Sequence, residues 1–263
     1  MTVRPLPETP AEPAGQVIER LELEPWSRRF GIVAGITTSS SDFTLNGACP
    51  EGTAATHWAA LRMAFHRQFP AVVVGYQSHG TEVMIHRHAQ DGWMAWPQVD
   101  GHVTARRGIL LAVTVADCVP VYLADPARGV VGLLHAGWRG IAAGMIERGV
   151  AAVASVAKSS PRDIITHCGV AICGACYEVG PEVVYQVRGE SCAGASRLDL
   201  RAEIQARLDR LGVENERTSS PWCTAHGGQR FHSHRGSKGA AGRMLAYVGM
   251  PLAALGDPVP PLA

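Results

Sequence analysis

Seven apolar runs of strand length recur along the chain, at residues 30–37, 71–76, 109–115, 119–124, 129–134, 163–172 and 242–249. Several are continuous rather than alternating. A strand with one face in water carries a polar residue at every second position, so a continuous run predicts a strand covered on both faces. Helical patterns are fewer. Residues 54–67 can form a helix, and residues 140–157 bring Ile141, Met145, Val150, Val153 and Val156 near one face. Residues 199–211 place Leu200, Ile204, Leu208 and Leu211 at helical spacing, with Asp199 as the cap. Clustered strands with helices between some of them predict a mixed α+β sandwich.

The chain has 263 residues, of which 46% are hydrophobic and 18% charged. That suits a globular protein with a substantial core and excludes disordered and fibrous classes. Lys and Arg number 24 against 23 Asp and Glu. This balance gives no pull toward nucleic acid or an anionic membrane, yet leaves room for a local basic pocket. No run reaches the roughly 18 apolar residues of a spanning helix. The first residues lack the apolar stretch of a signal peptide. Seven cysteines cannot all pair within one chain. A cytoplasmic protein with reduced thiols is expected, in which cysteines pack, bind metal or react. Pro5, Pro7, Pro10 and Pro13 mark residues 1–16 as a flexible tail, and Pro258, Pro260 and Pro261 mark 257–263 as irregular. Residues 17–256 are expected to form a single catalytic domain.

Three segments carry a reactive side chain beside an expected strand: Gln77-Ser78-His79-Gly80-Thr81, Val115-Ala116-Asp117-Cys118-Val119-Pro120 and His135-Ala136-Gly137-Trp138-Arg139-Gly140. Taken singly, such a histidine or cysteine is most often a packed core residue. Their spacing matches no zinc finger. The glycines beside His79 and His135 permit sharp turns and close backbone approach. Arg139 stands at the expected start of the 140–157 helix, where free N–H groups and a guanidinium fork suit phosphate or carboxylate.

These motifs resemble the laccase-domain, or YfiH-like, family, also called the multicopper polyphenol oxidase family and now treated as purine nucleoside phosphorylases. The resemblance spans roughly residues 30–250. It rests on Leu45-Asn46, the His79, Cys118 and His135 segments, Asp100-Gly101, Cys176-Tyr177-Glu178-Val179-Gly180, Leu198-Asp199-Leu200, Cys223-Thr224 and Phe231-x-Ser233-x-Arg235. It implies mixed β-sheets packed as a layered sandwich flanked by helices. It also implies a zinc ion on His79, Cys118 and His135, with copper as the older assignment. The implied partners are a nucleoside and phosphate, and the implied reactions are phosphorolysis of adenosine, inosine, guanosine and methylthioadenosine, and deamination of adenosine. Three protein ligands leave a catalytic zinc one open position. Arg139, Gln77, Asp117 and Arg235 are the expected substrate- and phosphate-binding residues, and Asp117, Glu178 and Gln77 the candidates for assisting the departing purine. Against the family pattern, the 169–178 segment lacks two prolines, which predicts a looser loop. His232 and His234 replace aromatic residues, and Gly236 halves an arginine pair.

Other readings compete locally. Cys173-Gly174-Ala175-Cys176 has the spacing of a redox motif, although no thioredoxin-like context surrounds it. The pairs His86/His88 and His232/His234 can each face one way on an extended strand. Cys168 and Cys192 are expected to pack, and Trp138 to wall the pocket rather than stack on a cation. At the level of function, Cys118 can be the nucleophile of a metal-free cysteine hydrolase acting on an amide of a cell-wall precursor. A copper-dependent polyphenol oxidase and a non-catalytic metal- or nucleotide-binding regulator are the remaining alternatives. The sequence does not fix the oligomeric state.

Overall fold

The computed structural model describes residues 3–11, 18–45, 52–88, 90–226 and 228–252. Strands β1 (Arg4–Pro5), β2 (Thr9–Pro10) and β3 (Arg20–Glu22) lead into α1 (Glu24–Phe30) and β4 (Val33–Thr37). Helix α2 (Gly52–Phe65) precedes β5 (Ala71–Tyr76), β6 (Val83–Ile85), β7 (Gly92–Pro97) and β8 (Gly101–Thr104). Three long strands follow, β9 (Ile109–Val115), β10 (Val119–Asp125) and β11 (Val130–Ala136), then α3 (Trp138–Ala143) and α4 (Met145–Ala157). The remainder comprises β12 (Ile165–Cys168), β13 (Glu178–Val179), α5 (Pro181–Arg188), β14 (Ser196–Arg197), α6 (Leu200–Arg210), β15 (Arg217–Ser219) and β16 (Met244–Gly249).

Two seven-stranded sheets stack. One runs β1-β15-β12-β10-β11-β8-β6 and the other β2-β3-β4-β16-β9-β5-β7, and β13 pairs with β14 alone. Both mix orientations: β10 is antiparallel to β11 and β12, whereas β5 is parallel to both β7 and β9. The continuous apolar runs have a simple cause. On β9, Ile109, Leu111 and Val113 face Tyr122, Leu133 and Ile165 of the other sheet, while Leu110 and Ala112 pack with Trp58, Leu61 and Phe65 of α2. On the far side, Val121, Leu123 and Leu134 meet Ile146, Val150 and Val153 of α4 and Ile204 and Leu208 of α6. The layers are therefore helix, sheet, sheet, helix, and the central strands meet no water on either face. Gly149 lets α4 lie close to β11, because a Cβ there would sit 2.3 Å from Leu134 Cδ1. Tyr122, fully buried between the sheets, donates its hydroxyl to the Gly35 carbonyl at 2.8 Å.

The mixed α+β sandwich expected from the sequence is the fold observed. Strands β5 and β9 span the expected residues, and Asp199 caps α6 by accepting the amides of Arg201 and Ala202. Three expectations need correction. The helix expected over 140–157 starts earlier, at Trp138, and breaks at Gly144, whose φ of 96° ends α3 before α4 begins. The expected N-terminal tail is in part structured: β1 adds to one sheet and β2 to the other. Between them Glu8 is buried, accepting from Ser220 Oγ at 2.7 Å and lying 3.1 Å from His167 Nε2. His86 and His88 do not pair: His86 is buried with its Nε2 2.9 Å from His102 Nδ1, and His88 is exposed. Residues 1–2 and 12–16 of the expected tail, the 257–263 tail and Asn46 lie outside the described residues. Among the described residues no helix is long and apolar enough to cross a membrane.

The double-sided burial gives a direct test. Leu111→Ala should lower unfolding free energy by about 3 kcal/mol, whereas Met63→Ala, on the solvent side of α2 with Met63 71% exposed, should change it by less than about 0.5 kcal/mol in urea melts. Equal effects would contradict the layer assignment.

Candidate metal centre and its cavity

The chain crosses from one sheet to the other twice beside the same point. The loop after β5 carries His79 toward β6, and the turn Ala116-Asp117-Cys118 joins β9 to β10. His135 stands on β11 opposite Pro120. One ligand atom from each of His79, Cys118 and His135 lies within 4.8 Å of the others. The two imidazoles meet edge to face with centroids 4.9 Å apart.

Two buried carboxylates hold this arrangement. Asp100, fully buried, accepts the backbone amides of Ser78, His79 and Gly80 at 2.9–3.0 Å and the Nδ1–H of His135 at 2.9 Å. That fixes the His135 ring and leaves Nε2 for the cluster, the usual outer partner of a ligating imidazole. Asp117 accepts from Thr224 Oγ1 at 2.5 Å, Ser233 Oγ at 2.7 Å and the Arg235 amide at 2.6 Å. Both turns contain a non-glycine residue in the left-handed region, His79 at φ 59° and Asp117 at φ 88°. Such backbone persists only where surrounding bonds over-determine it, and these carboxylates supply those bonds.

Burial raises a thiol, but the His135 charge and the hydrogen bonds from both histidines bring Cys118 down to about 6. Burial lowers His135, but the Cys118 thiolate and the Asp100 bond bring it up to about 9. Burial raises Asp100, but His135 and the loop amides bring it down to about 2. At neutral pH these shifts favour a thiolate on Cys118 and an imidazolium on His135, leaning on the Asp100 carboxylate. Two imidazoles and a thiolate suit zinc or copper. The cradle is also built for an ion: a Cβ at Gly137 would come 2.9 Å from Cys118 Sγ and 3.1 Å from His79 Cδ2. The residues fit a single metal ion with three protein ligands.

The cluster forms the floor of a cavity of about 660 Å³. That is the size of a small-molecule site. Arg139, Arg235 and Arg243 line it, with Tyr76, Trp138, Tyr177 and His234. The expected site residues fare unequally. His79, Cys118 and His135 come together, and Arg139 and Arg235 reach the cavity. Arg139 rests on the Trp138 ring, 4.3 Å from its centroid, so Trp138 is both wall and stacking partner. Arg235 lies over the Tyr177 ring at 4.9 Å and donates to the Glu178 carbonyl at 2.6 Å. Gln77 lines the cavity, but its amide is engaged with Thr114, donating at 2.7 Å and accepting at 2.8 Å, so it braces the wall. Asp117 is likewise a buttress, because both its oxygens already serve protein donors. Glu178 turns away and pairs with Arg197 at 3.2 Å. The helix start behind Arg139 belongs to the short α3, which does not form the long helical terminus expected for a phosphate cradle.

Sequence reasoning gave no role to Asp100, Thr224, Ser233, Tyr177 or Arg243. Asp100 and Tyr177 stood inside motifs with no spacing to mark what they do, and Arg243 gave no signal at all. Arg243 restores to the cavity a cation that Gly236 had seemed to remove. The segment 169–178 is not loose either: Ile172 donates to the Asp117 carbonyl at 3.0 Å and Thr224 to the Ala171 carbonyl at 3.2 Å. His232 and His234 diverge; His232 Nε2 lies 3.1 Å from the Ser41 carbonyl, and His234 lines the cavity.

Residues 33–251 match the family described as multi-copper polyphenol oxidoreductase laccase. Purine nucleoside phosphorylase ORF3 of Streptomyces griseus is 39% identical over 216 residues, covering 79% of this chain and 86% of that one. A purine nucleoside phosphorylase of Streptomyces coelicolor is 41% identical over 187 residues, covering 68% of this chain and 75% of that protein. Among solved structures, YlmD from Geobacillus stearothermophilus superposes with a TM-score of 0.80 at 30% identity, covering 92% of this chain and 99% of that one. The Bacillus licheniformis hypothetical protein YfiH gives 0.79 at 27% identity, covering 88% and 96%.

The lowered thiol has a measurable consequence. In metal-free protein the rate of Cys118 alkylation by iodoacetamide should rise with a midpoint near pH 6, since the thiolate predominates above that value. Added zinc should suppress the labelling at neutral and higher pH, where the ligands give up their protons to the ion. A midpoint near the ordinary thiol value would contradict the pairing with His135.

Proposed function

Because the chain belongs to the multi-copper polyphenol oxidoreductase laccase family, we propose that it is a zinc-dependent purine nucleoside phosphorylase acting on adenosine, inosine, guanosine and methylthioadenosine, with adenosine deamination as a second activity. One observation carries this reading: an N, S, N ligand cluster lines a cavity that Arg139, Arg235 and Arg243 also line, and whose one lining carboxylate among the described residues, Asp117, is already bonded to protein donors. Such a site favours an oxyanion beside a neutral aromatic ligand. Zinc on three protein ligands keeps one position open and supplies a Lewis acid there.

Phosphorolysis breaks the bond from ribose C1′ to the purine and forms one from C1′ to a phosphate oxygen, and the electron pair leaves with the base. In this reading Arg139, Arg235 and Arg243 hold and orient the phosphate oxygens. Tyr76, Trp138 and Tyr177 offer aromatic faces to the purine. Burial, and then the negative Cys118, push the Tyr177 hydroxyl up to about 12. It therefore keeps its proton across the neutral range and can donate a hydrogen bond to the departing base. Deamination uses the same pocket with water in place of phosphate.

The Cys118–His135–Asp100 chain of contacts favours a second reading, a cysteine hydrolase in which His135 is the base and Asp100 its orienting partner. Metal removal separates the two. Zinc-loaded protein given adenosine and phosphate should release adenine and ribose 1-phosphate, and chelation or Cys118→Ala should abolish turnover. Amide hydrolysis that survives chelation would favour the hydrolase instead. Arg139→Ala and Arg235→Ala should each raise the KM for phosphate about tenfold or more while changing the nucleoside KM little. Unchanged phosphate dependence in both would remove the arginines from the mechanism.

A further inference from the structure

A second group of metal-ligating side chains lies behind the cavity wall. Cys173 and Cys176 are three positions apart, with a pair of residues between them, and Cys223 and His226 repeat that spacing. One ligand atom from each of the four lies within 4.8 Å of all the others. His226 presents Nδ1 to the sulfurs, 3.0 Å from Cys176 Sγ and 3.8 Å from Cys173 Sγ. The edges of a tetrahedral zinc site with sulfur and nitrogen ligands are about 3.5–3.8 Å, given Zn–S near 2.3 Å and Zn–N near 2.0 Å. All three cysteines are free rather than bridged.

The backbone is arranged to match. The Cys173 carbonyl accepts the amides of Cys176 and Tyr177 at 3.0 and 3.1 Å, which folds that segment into a tight turn. The Cys173 amide points at Cys223 Sγ from 3.3 Å, and the amides of Ala225 and His226 also donate to that sulfur. Amides converging on a sulfur are what a ligating thiolate needs. An isolated parallel bridge between Ala171 and Cys223 brings the two segments together.

We propose that Cys173, Cys176, Cys223 and His226 form a structural zinc site, distinct from the His79–Cys118–His135 cluster. Its soft ligands select zinc over calcium or magnesium. Four protein ligands close the coordination sphere, so the ion has no open position and no part in turnover. Its consequence lies in the wall it ties. Thr224, next to Cys223, holds Asp117 beside Cys118, and Tyr177, next to Cys176, lines the cavity and carries Arg235 on its ring. The ion thus staples the 171–177 and 222–226 segments and positions that side of the substrate cavity. The proposal does not depend on which reaction the cavity performs.

Metal content tests it on the full chain, dialysed against zinc and then against buffer. Wild type should hold about two zinc ions per chain, and the double variant His79→Ala/Cys118→Ala about one. With cobalt in place of zinc, that variant should still show intense thiolate-to-cobalt charge transfer and tetrahedral ligand-field bands. In wild type, Cys173, Cys176 and Cys223 should resist alkylation until chelator is added, as read by peptide mass spectrometry. Two results would overturn the site: a folded double variant, by circular dichroism, that binds neither metal, or native wild type in which these cysteines alkylate freely or Cys173 and Cys176 form a disulfide after zinc loading. The alkylation arm decides the matter even if the double variant does not fold.

Discussion

The fully buried carboxylate of Asp100 makes three distant segments into one site. It gathers the amides of the 78–80 loop and the Nδ1–H of His135, and so fixes one histidine through its backbone and the other through its ring. A buried carboxylate is tolerable only when such donors surround it. Here the donors belong to the loop that leads from β5 of one sheet to β6 of the other, and to β11. The cost of burying the charge is offset only when that loop and β11 come together on it, which couples the geometry of the cluster to the fold around it.

Asp117 plays the complementary part on the other wall. It lies in the turn between β9 and β10, and its bonds to Thr224, Ser233 and the Arg235 amide draw in two late segments of the chain. The cavity therefore has a floor set by one strand, one loop and one turn, and a wall assembled from loops that converge on one carboxylate. Arg235 stands on that wall and Arg139 on α3, and both are stacked on aromatic rings rather than free to sweep through solvent. Stacked guanidiniums lose less freedom on binding an anion.

Much of this fold could be read from the chain because burial on both faces leaves a strong mark. The apolar runs at 71–76 and 109–115 coincide with β5 and β9, and the cap at Asp199 is local chemistry. The break at Gly144 was hidden, since alanines and a glycine inside a periodic pattern do not reveal a left-handed residue. The three clustered side chains were legible through their motifs, whereas what Gln77 and Asp117 do was not. A polar residue beside a reactive one looks the same in sequence whether it faces ligand or protein. Cys173 and Cys176 gave a visible spacing, but their counterparts Cys223 and His226 lie across residues 177–222, a separation only the folded chain closes.

The first described residues invite a different consideration. Arg4–Pro5 and Thr9–Pro10 are the outermost strands of the two sheets, one on each. Proline has no N–H to offer a further strand, and open sheet borders are where chains join into fibrils. The residues whose composition suggested a loose end therefore terminate hydrogen bonding on one border of each sheet. A chain trimmed of these residues would leave the three-residue strands β15 and β3 as its new borders, with their outer hydrogen-bonding groups open to a further strand.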